Sequence, residues 1–178
     1  MIATELARVD AHTLIYDVVE SPIGRLILAS NGVALAGVWM ANASPTDTKW
    51  ARLKGNDGIL AQTRDELAEY FDGRRRMFDV PLAPNGTEFQ RSVWSALTKI
   101  PFGTTISYAD LARRVGKQAA VRAVGAANGR NPIPVIVPCH RVIGSDGSLT
   151  GFGGGLPRKK WLLQHEGVFP AEQEELGF

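Results

Sequence analysis

Ser107-Tyr108-Ala109-Asp110-Leu111-Ala112-Arg113-Arg114-Val115-Gly116-Lys117-Gln118-Ala119-Ala120-Val121-Arg122-Ala123-Val124-Gly125-Ala126-Ala127 carries two short helical patterns separated by a break. Ser107 can cap a helix over Tyr108–Val115, with Asp110 at the third position completing a capping arrangement. Gly116 stops that helix, and Ala119–Ala127 reads as a second one, rich in alanine. Two short helices joined by a tight, glycine-bearing turn form a helix-turn-helix pattern, which occurs in proteins of every function. Helices that read base edges present Arg, Asn, Gln or Glu at several positions. The second helix has one long polar side chain, Arg122, among small residues that include Ala119, Ala120 and Gly125. That inventory suits close approach to a surface without sequence readout. It suits equally a helix whose small residues pack in a core with Arg122 in solvent.

C-terminal to the helix pair, Ile133–Val137 is apolar and β-branched but studded with Pro132, Pro134 and Pro138. Proline removes backbone donors and restricts φ, so the segment should be buried without being a regular central strand. It delivers Cys139, the only cysteine of the chain. Disulfides and structural zinc sites need several ligands, whereas a nucleophile can stand alone. His140 follows directly. Consecutive side chains in an extended segment point apart, which leaves direct contact and a bridging water as alternatives. Read alone, Cys139 fits an inert core cysteine better than a nucleophile.

Further on, Pro157 suits the first turn of a helix and Gly167 suits its stop. Leu162 and Glu166 lie four apart within it and share a face, so a core-facing Leu162 brings Glu166 inward. A buried carboxylate needs a donor, and a histidine is a natural one. The alternative is a frayed, solvated acid at the helix C-terminus, where an acid is electrostatically unfavourable. The intervening Gly151-Phe152-Gly153-Gly154-Gly155 fits neither a P-loop nor GxGxxG. It is either a flexible linker or a backbone that lets a ligand come close.

Working back from Ser107, Thr87 is a plausible cap for a helix over Glu88–Leu97. Pro81, Pro84 and Asn85-Gly86 mark a domain boundary. Residues 1–86 read as a small α/β unit. Strands are expected at Leu14–Val19, Leu26–Ala29 and Val33–Trp39, the last pair joined at the Asn31-Gly32 turn. Residues 42–58 are expected to be loop. A helix over Ile59–Phe71 and a last strand at Phe78–Leu82 follow. The fold class expected is thus a small antiparallel sheet with a helix, followed by a mainly α domain over 87–170. An acidic tail over 171–178 ends the chain.

The 178 residues are 44% hydrophobic and 21% charged, as in a soluble globular protein. No apolar run approaches the ~18 residues of a membrane span, and no secretory leader is legible. A single cysteine fits a reducing cytoplasm. Only His12, Cys139, His140 and His165 could supply soft or borderline metal ligands, so neither a metal nor any other cofactor is expected. The net charge of +2 conceals an asymmetry: residues 87–170 hold 11 basic and 4 acidic residues, net +7. A basic face suits a polyanionic partner, and it also suits a merely solvated surface.

With these residues assembled, the C-terminal half closely resembles the O6-alkylguanine-DNA alkyltransferase family. The resemblance runs through Phe89-Gln90-Arg91-Ser92-Val93-Trp94, Ile106-Ser107-Tyr108, Val121–Gly125, Asn131-Pro132, Pro138-Cys139-His140-Arg141-Val142-Ile143, Gly153–Gly155 and Trp161–Gly167. The N-terminal half is similar more loosely, around Ser21–Gly24 and Phe78–Val80. The resemblance implies direct-reversal DNA repair: the alkylated guanine of double-stranded DNA is flipped out, because its O6 carbon is out of reach within the stack. It implies Cys139 as the nucleophile, His140 as the base acting through water, Glu166 as the group that orients His140, and Asn131 as a brace for the turn. Tyr108 would donate to the departing guanine, and the carbonyls of Cys139 and Val142 would recognise its exocyclic amine. Arg122 would fill the gap in the stack from the minor groove, independent of sequence, with Ala119, Ala120 and Gly125 close to the DNA. Ser145 would contact a phosphate, and Phe152, Gly153 and Gly154 would line the pocket with Val142. The product would be a thioether that thiol exchange cannot reverse, so each molecule, expected to be a monomer, would act once.

Phe152 stands where many members carry tyrosine, and Gly153 replaces a serine of some members, a change expected to widen the pocket. No counterpart is expected of the zinc site of some animal members or of the metal-sensing domain of some bacterial ones. Three other readings compete. A non-catalytic recognition protein of the same fold would lack the cysteine. A helix-turn-helix transcription factor would carry more base-reading side chains. A cysteine hydrolase would need an oxyanion hole that nothing in the sequence supports.

Overall fold

The computed structural model describes residues 14–40, the backbone of 51–52, and residues 57–170. His12, most of the loop expected over 42–58 and the acidic tail lie outside the described residues. The chain divides into two compact units between Asn85 and Gly86.

In the first unit, β1 (Ile15–Val19), β2 (Leu26–Ser30) and β3 (Leu35–Met40) form an antiparallel meander. Every residue of β2 is buried, as befits the strand between the other two. The Asn31 side chain closes the second hairpin, its Oδ1 accepting from the Val33 and Ala34 amides at 3.1 and 2.9 Å. Gly32 takes the left-handed φ of +90° that this turn needs. β4 (Ala51–Arg52) adds two residues parallel to β1, giving the order β3-β2-β1-β4. The sheet is therefore not purely antiparallel, and part of the stretch expected as loop is paired.

Helix α1 (Gly58–Phe71) is capped by Asp57, whose side chain accepts from the Leu60 amide at 2.8 Å. It packs Leu60, Leu67 and Tyr70 inward against the sheet. The strand expected over Phe78–Leu82 is absent. The Asp79 and Val80 amides are instead taken by the buried Glu66 carboxylate, at 2.8 and 3.3 Å. Only an isolated bridge joins Leu82 to Leu35. A side-chain acceptor has replaced the ladder.

The second unit opens with α2 (Glu88–Leu97) under a full Thr87–Gln90 capping box. Val93, Trp94, Ala96 and Leu97 form its buried face. The Trp94 indole donates to the Ala127 carbonyl at 2.9 Å, a buried tie between α2 and α4 (Val121–Gly129). Helix α3 (Tyr108–Arg114) carries the Ser107–Asp110 box, and Gly116 leaves it at φ +67°. The second helix begins later than its alanines suggest, because Gln118–Ala120 form a 3₁₀ turn. Residues 133–137 are buried apart from half-buried Pro134, and they lie in no strand. The turn Cys139–Arg141 leads into β6 (Val142–Ile143), which pairs in parallel with β5 (Ile106–Ser107). This two-residue ladder seats the cysteine turn beside the start of α3. Helix α5 (Leu156–His165) follows, with Pro157 in its first turn and Gly167 at φ +76° beyond its end. The Val168 amide returns to Leu163 O at 2.9 Å, as in a glycine-terminated helix.

Candidate active site

Val135 holds the approach to the cysteine at φ +74°, a left-handed conformation costly for a β-branched residue. The Asn131 side chain spans this bend. Its Nδ2 donates to Val137 O at 2.7 Å and its Oδ1 accepts from the Ile133 amide at 3.0 Å. Both polar ends of one amide are used on the loop that presents Cys139. The segment is rigid because it is buried, proline-bounded and cross-braced.

Cys139 is a free thiol, only 4% exposed. Burial pushes its pKa up to about 11, against the opposing pull of the Asn131 amide and the Lys159 charge. The thiol is neutral at pH 7. His140 is fully buried, and the turn, rather than an extended chain, sets its direction. Its Nε2 lies 2.8 Å from Glu166 Oε1, while Nδ1 is buried with no hydrogen-bond partner among the described residues. Burial lowers the imidazole pKa and outweighs the pull of Glu166, so the ring is neutral. A carboxylate only accepts. The ring proton therefore sits on Nε2, and Nδ1 keeps the lone pair of a base.

Glu166 ends α5 facing the core, 5% exposed, on the face it shares with fully buried Leu162. Burial alone would raise its pKa. Hydrogen bonds from His140 and Arg141 overcome this and hold the carboxyl far below the usual carboxylate range. Arg141 is a partner that the sequence reading does not supply. Its Nε donates to Oε2 at 2.8 Å and its Nη2 to Oε1 at 2.9 Å, a two-pronged grip, while Nη1 reaches Ile100 O at 2.6 Å. The Gly103 amide adds a bond to Oε2 at 3.2 Å. The only legible signal is that a buried carboxylate requires donors.

Tyr108, half-buried at the start of α3, donates its hydroxyl to Thr150 O at 2.9 Å. Burial raises its pKa, so it stays protonated. Beside it, α4 turns Val124, Ala127 and Asn128 inward and leaves Arg122, Ala123 and Ala126 exposed, as is Ala119 in the preceding 3₁₀ turn. The packed-core reading of its alanines therefore does not hold for these. Ala120 and Gly125 are half-buried. Ser145 is exposed in the turn that follows Val142, which is itself buried. Phe152 and Gly154 are half-buried and Gly153 is exposed. A Cβ at Gly153 would meet only Gly129 O, at an ordinary 3.6 Å, so a serine fits there. Lys159, the middle one of three consecutive basic residues, is fully buried. Among the described residues no group of three or more His, Cys, Asp or Glu could hold a metal ion. No helix there is long and apolar enough to cross a membrane.

Fold and site together define a helix-turn-helix domain that carries one buried thiol with an imidazole–carboxylate pair, joined to a small α/β domain. Two family models match the chain: the ribonuclease-like domain of 6-O-methylguanine DNA methyltransferase over residues 14–84 and the DNA binding domain over residues 88–168. The chain belongs to the 6-O-methylguanine DNA methyltransferase family. It is 46% identical over 151 residues to a methylated-DNA–protein-cysteine methyltransferase of Methanosarcina barkeri, covering 85% of this chain and 96% of that relative. A protein of the same name from Mycobacterium tuberculosis is 47% identical over 153 residues, covering 85% and 91%. Among solved structures, Mycobacterium tuberculosis OGT in complex with DNA matches with a TM-score of 0.79 at 46% identity, covering 88% of this chain and 96% of that one.

Proposed function

We infer that this chain repairs DNA by moving the alkyl group of O6-alkylguanine irreversibly to Cys139. One observation carries the reading. The thiol shares a single turn with an imidazole whose Nε2 is held by a clamped carboxylate and whose Nδ1 has no hydrogen-bond partner among the described residues. The resting pair is a neutral thiol and a neutral base. Proton transfer from Sγ to Nδ1 through a water creates the thiolate. Glu166 stabilises the imidazolium that forms. The thiolate attacks the alkyl carbon, the C–S bond forms and the C–O6 bond breaks, with the electron pair leaving on the guanine. Tyr108 supplies a proton to the guanine, and the Cys139 and Val142 carbonyls accept from its exocyclic amine. Nothing in the site can cleave a thioether, so one alkyl group per molecule is the limit. Titrating the protein against excess duplex bearing O6-methylguanine tests this. Transfer should stop at one methyl per chain, and continued turnover would refute it.

DNA is proposed to lie against the exposed face of α4, with Arg122 entering the minor groove and occupying the space of the flipped base. That face of alanines and one arginine offers no base-edge code. Ser145 adds a phosphate contact. Arg122→Ala is expected to slow repair of duplex DNA by roughly 10- to 100-fold, in line with the few kcal/mol that unstacking a base costs. The loss should shrink in single-stranded DNA, where no stack has to be refilled; equal losses in both would contradict the role. The protein is proposed to act as a monomer in the cytoplasm, with no cofactor. Gly153 is proposed to leave room for larger adducts. A Phe152→Tyr, Gly153→Ser variant should then react more slowly with O6-benzylguanine in DNA, and an equal rate would remove that role.

A further inference from the structure

Lys159 is a charged side chain that the transfer chemistry above does not use. It lies on α5 with no exposure, although its neighbours Arg158 and Lys160 are half-buried and exposed. Its Nζ donates to Val142 O and to Thr150 O, both at 2.6 Å. These partners are neutral main-chain carbonyls. A buried ammonium held by carbonyls alone is expensive, and an apolar side chain of similar length would fill the position at less cost. Burial lowers its pKa to about 8, against the pull of Cys139.

The Val142 carbonyl takes part in the proposed reaction, and the Thr150 carbonyl holds the Tyr108 hydroxyl that does. Val142 O is an acceptor for the guanine amine, and a carbonyl has two lone pairs, so the ammonium and the guanine can share it. Thr150 O is already shared, because the Tyr108 hydroxyl donates to it. The Lys159 Nζ also lies 5.9 Å from the centroid of the Tyr108 ring. Glycines leave space around that ring. A Cβ on Gly151 would stand 3.0 Å from its hydroxyl, and one on Gly125 would stand 3.5 Å from its edge. The hydroxyl has one proton. While that proton is spent on Thr150 O, it is not available to a guanine. Once it turns away, the carbonyl would lose a partner at cost unless another donor remained.

We propose that Lys159 is a positioning residue for alkyl transfer: it keeps the Thr150 carbonyl paired while the Tyr108 hydroxyl moves to the guanine, and it holds the Val142 carbonyl toward the guanine amine. This rests on the roles of Tyr108 and Val142 given above. It adds no proton to the reaction. The thiol proton leaves through His140 to water, and the guanine takes its proton from Tyr108, which recovers one from water.

The test is a double-variant cycle on single-turnover transfer from duplex O6-methylguanine, with each variant checked for folding by thermal melting. Tyr108→Phe should slow transfer, which secures the reading of Tyr108. Lys159→Met should slow it by about 10- to 100-fold when Tyr108 is intact, the range of a hydrogen bond from a charged group. In the Tyr108→Phe background the same change should cost less than about 3-fold, since no hydroxyl then leaves Thr150 during transfer, its carbonyl is unpaired alike before and during the reaction, and only the loss at Val142 O bears on the rate. If Lys159→Met does not fold, Lys159→Gln, which keeps a donor, takes its place with a smaller loss that should again shrink in the Tyr108→Phe background. Equal fold losses in both backgrounds, or no loss in either, would overturn the proposal while leaving the function of Cys139 intact. No effect of Tyr108→Phe alone would instead remove the reading on which it rests.

Discussion

Replacing Cys139 by alanine is expected to abolish alkyl transfer and leave DNA binding within about 3-fold of the original. Cys139 is the only thiol among 178 residues, so no neighbour can take over as acceptor. Its loss removes one buried sulfur and leaves the turn's backbone bonds untouched: Cys139 N to Val137 O at 2.8 Å and Arg141 N to Pro138 O at 3.0 Å. A cavity of that size costs about 1 kcal/mol. The variant should therefore fold and retain the exposed face of α4. Label transferred from alkylated duplex to protein measures the first effect, and titration of the same duplex measures the second. Residual transfer would place the acceptor elsewhere. Loss of binding with transfer would mean that the thiol supports the fold.

Glu166→Ala is expected to lower both stability and rate. Glu166 accepts from His140, twice from Arg141, and from the Gly103 amide. Its removal strands the Arg141 guanidinium, 5% exposed, with Ile100 O as its remaining partner in that set. Breaking one half of a buried ion pair costs about 3–5 kcal/mol. It also frees the His140 ring, so the tautomer with a basic Nδ1 is no longer enforced. The same pair predicts acid lability with a definite sign. The folded-state pKa of Glu166 is depressed, so its stabilisation is complete above the unfolded value of ~4.3 and drains as pH falls below it. Thermal melts from pH 7 down to pH 3 should show a steeper fall in the original protein than in Glu166→Gln. Parallel curves would mean that the carboxylate is not the linked group.

Much of this site is written in local chemistry. The caps Thr87 and Ser107, the stop at Gly167 and the shared face of Leu162 and Glu166 need only helical spacing, and the structure holds each of them. What spacing does not carry is partner choice. Arg141 meets Glu166 across 25 residues, and Lys159 meets carbonyls on two other segments. Their burial follows from the fold, whereas their sequence context is that of ordinary surface cations. Short pairings fail for a related reason. β4, β5 and β6 hold two residues each, too few for an alternating pattern. Over Phe78–Leu82 the pattern suggests a strand, but the Glu66 carboxylate takes its donors. Alanine content likewise overstates where α4 begins, because a 3₁₀ turn uses Ala119 and Ala120 before the helix proper.

The central claim is that Cys139 itself becomes the alkyl carrier, and the mass of its peptide tests that most directly. The protein is incubated with duplex DNA bearing O6-methylguanine, digested, and the peptide containing Cys139 is weighed. A gain of one methyl group on that peptide, with the guanine restored, is the predicted result. An unmodified Cys139 peptide from protein that binds the alkylated duplex tightly would contradict it and leave a protein that recognises the lesion without repairing it.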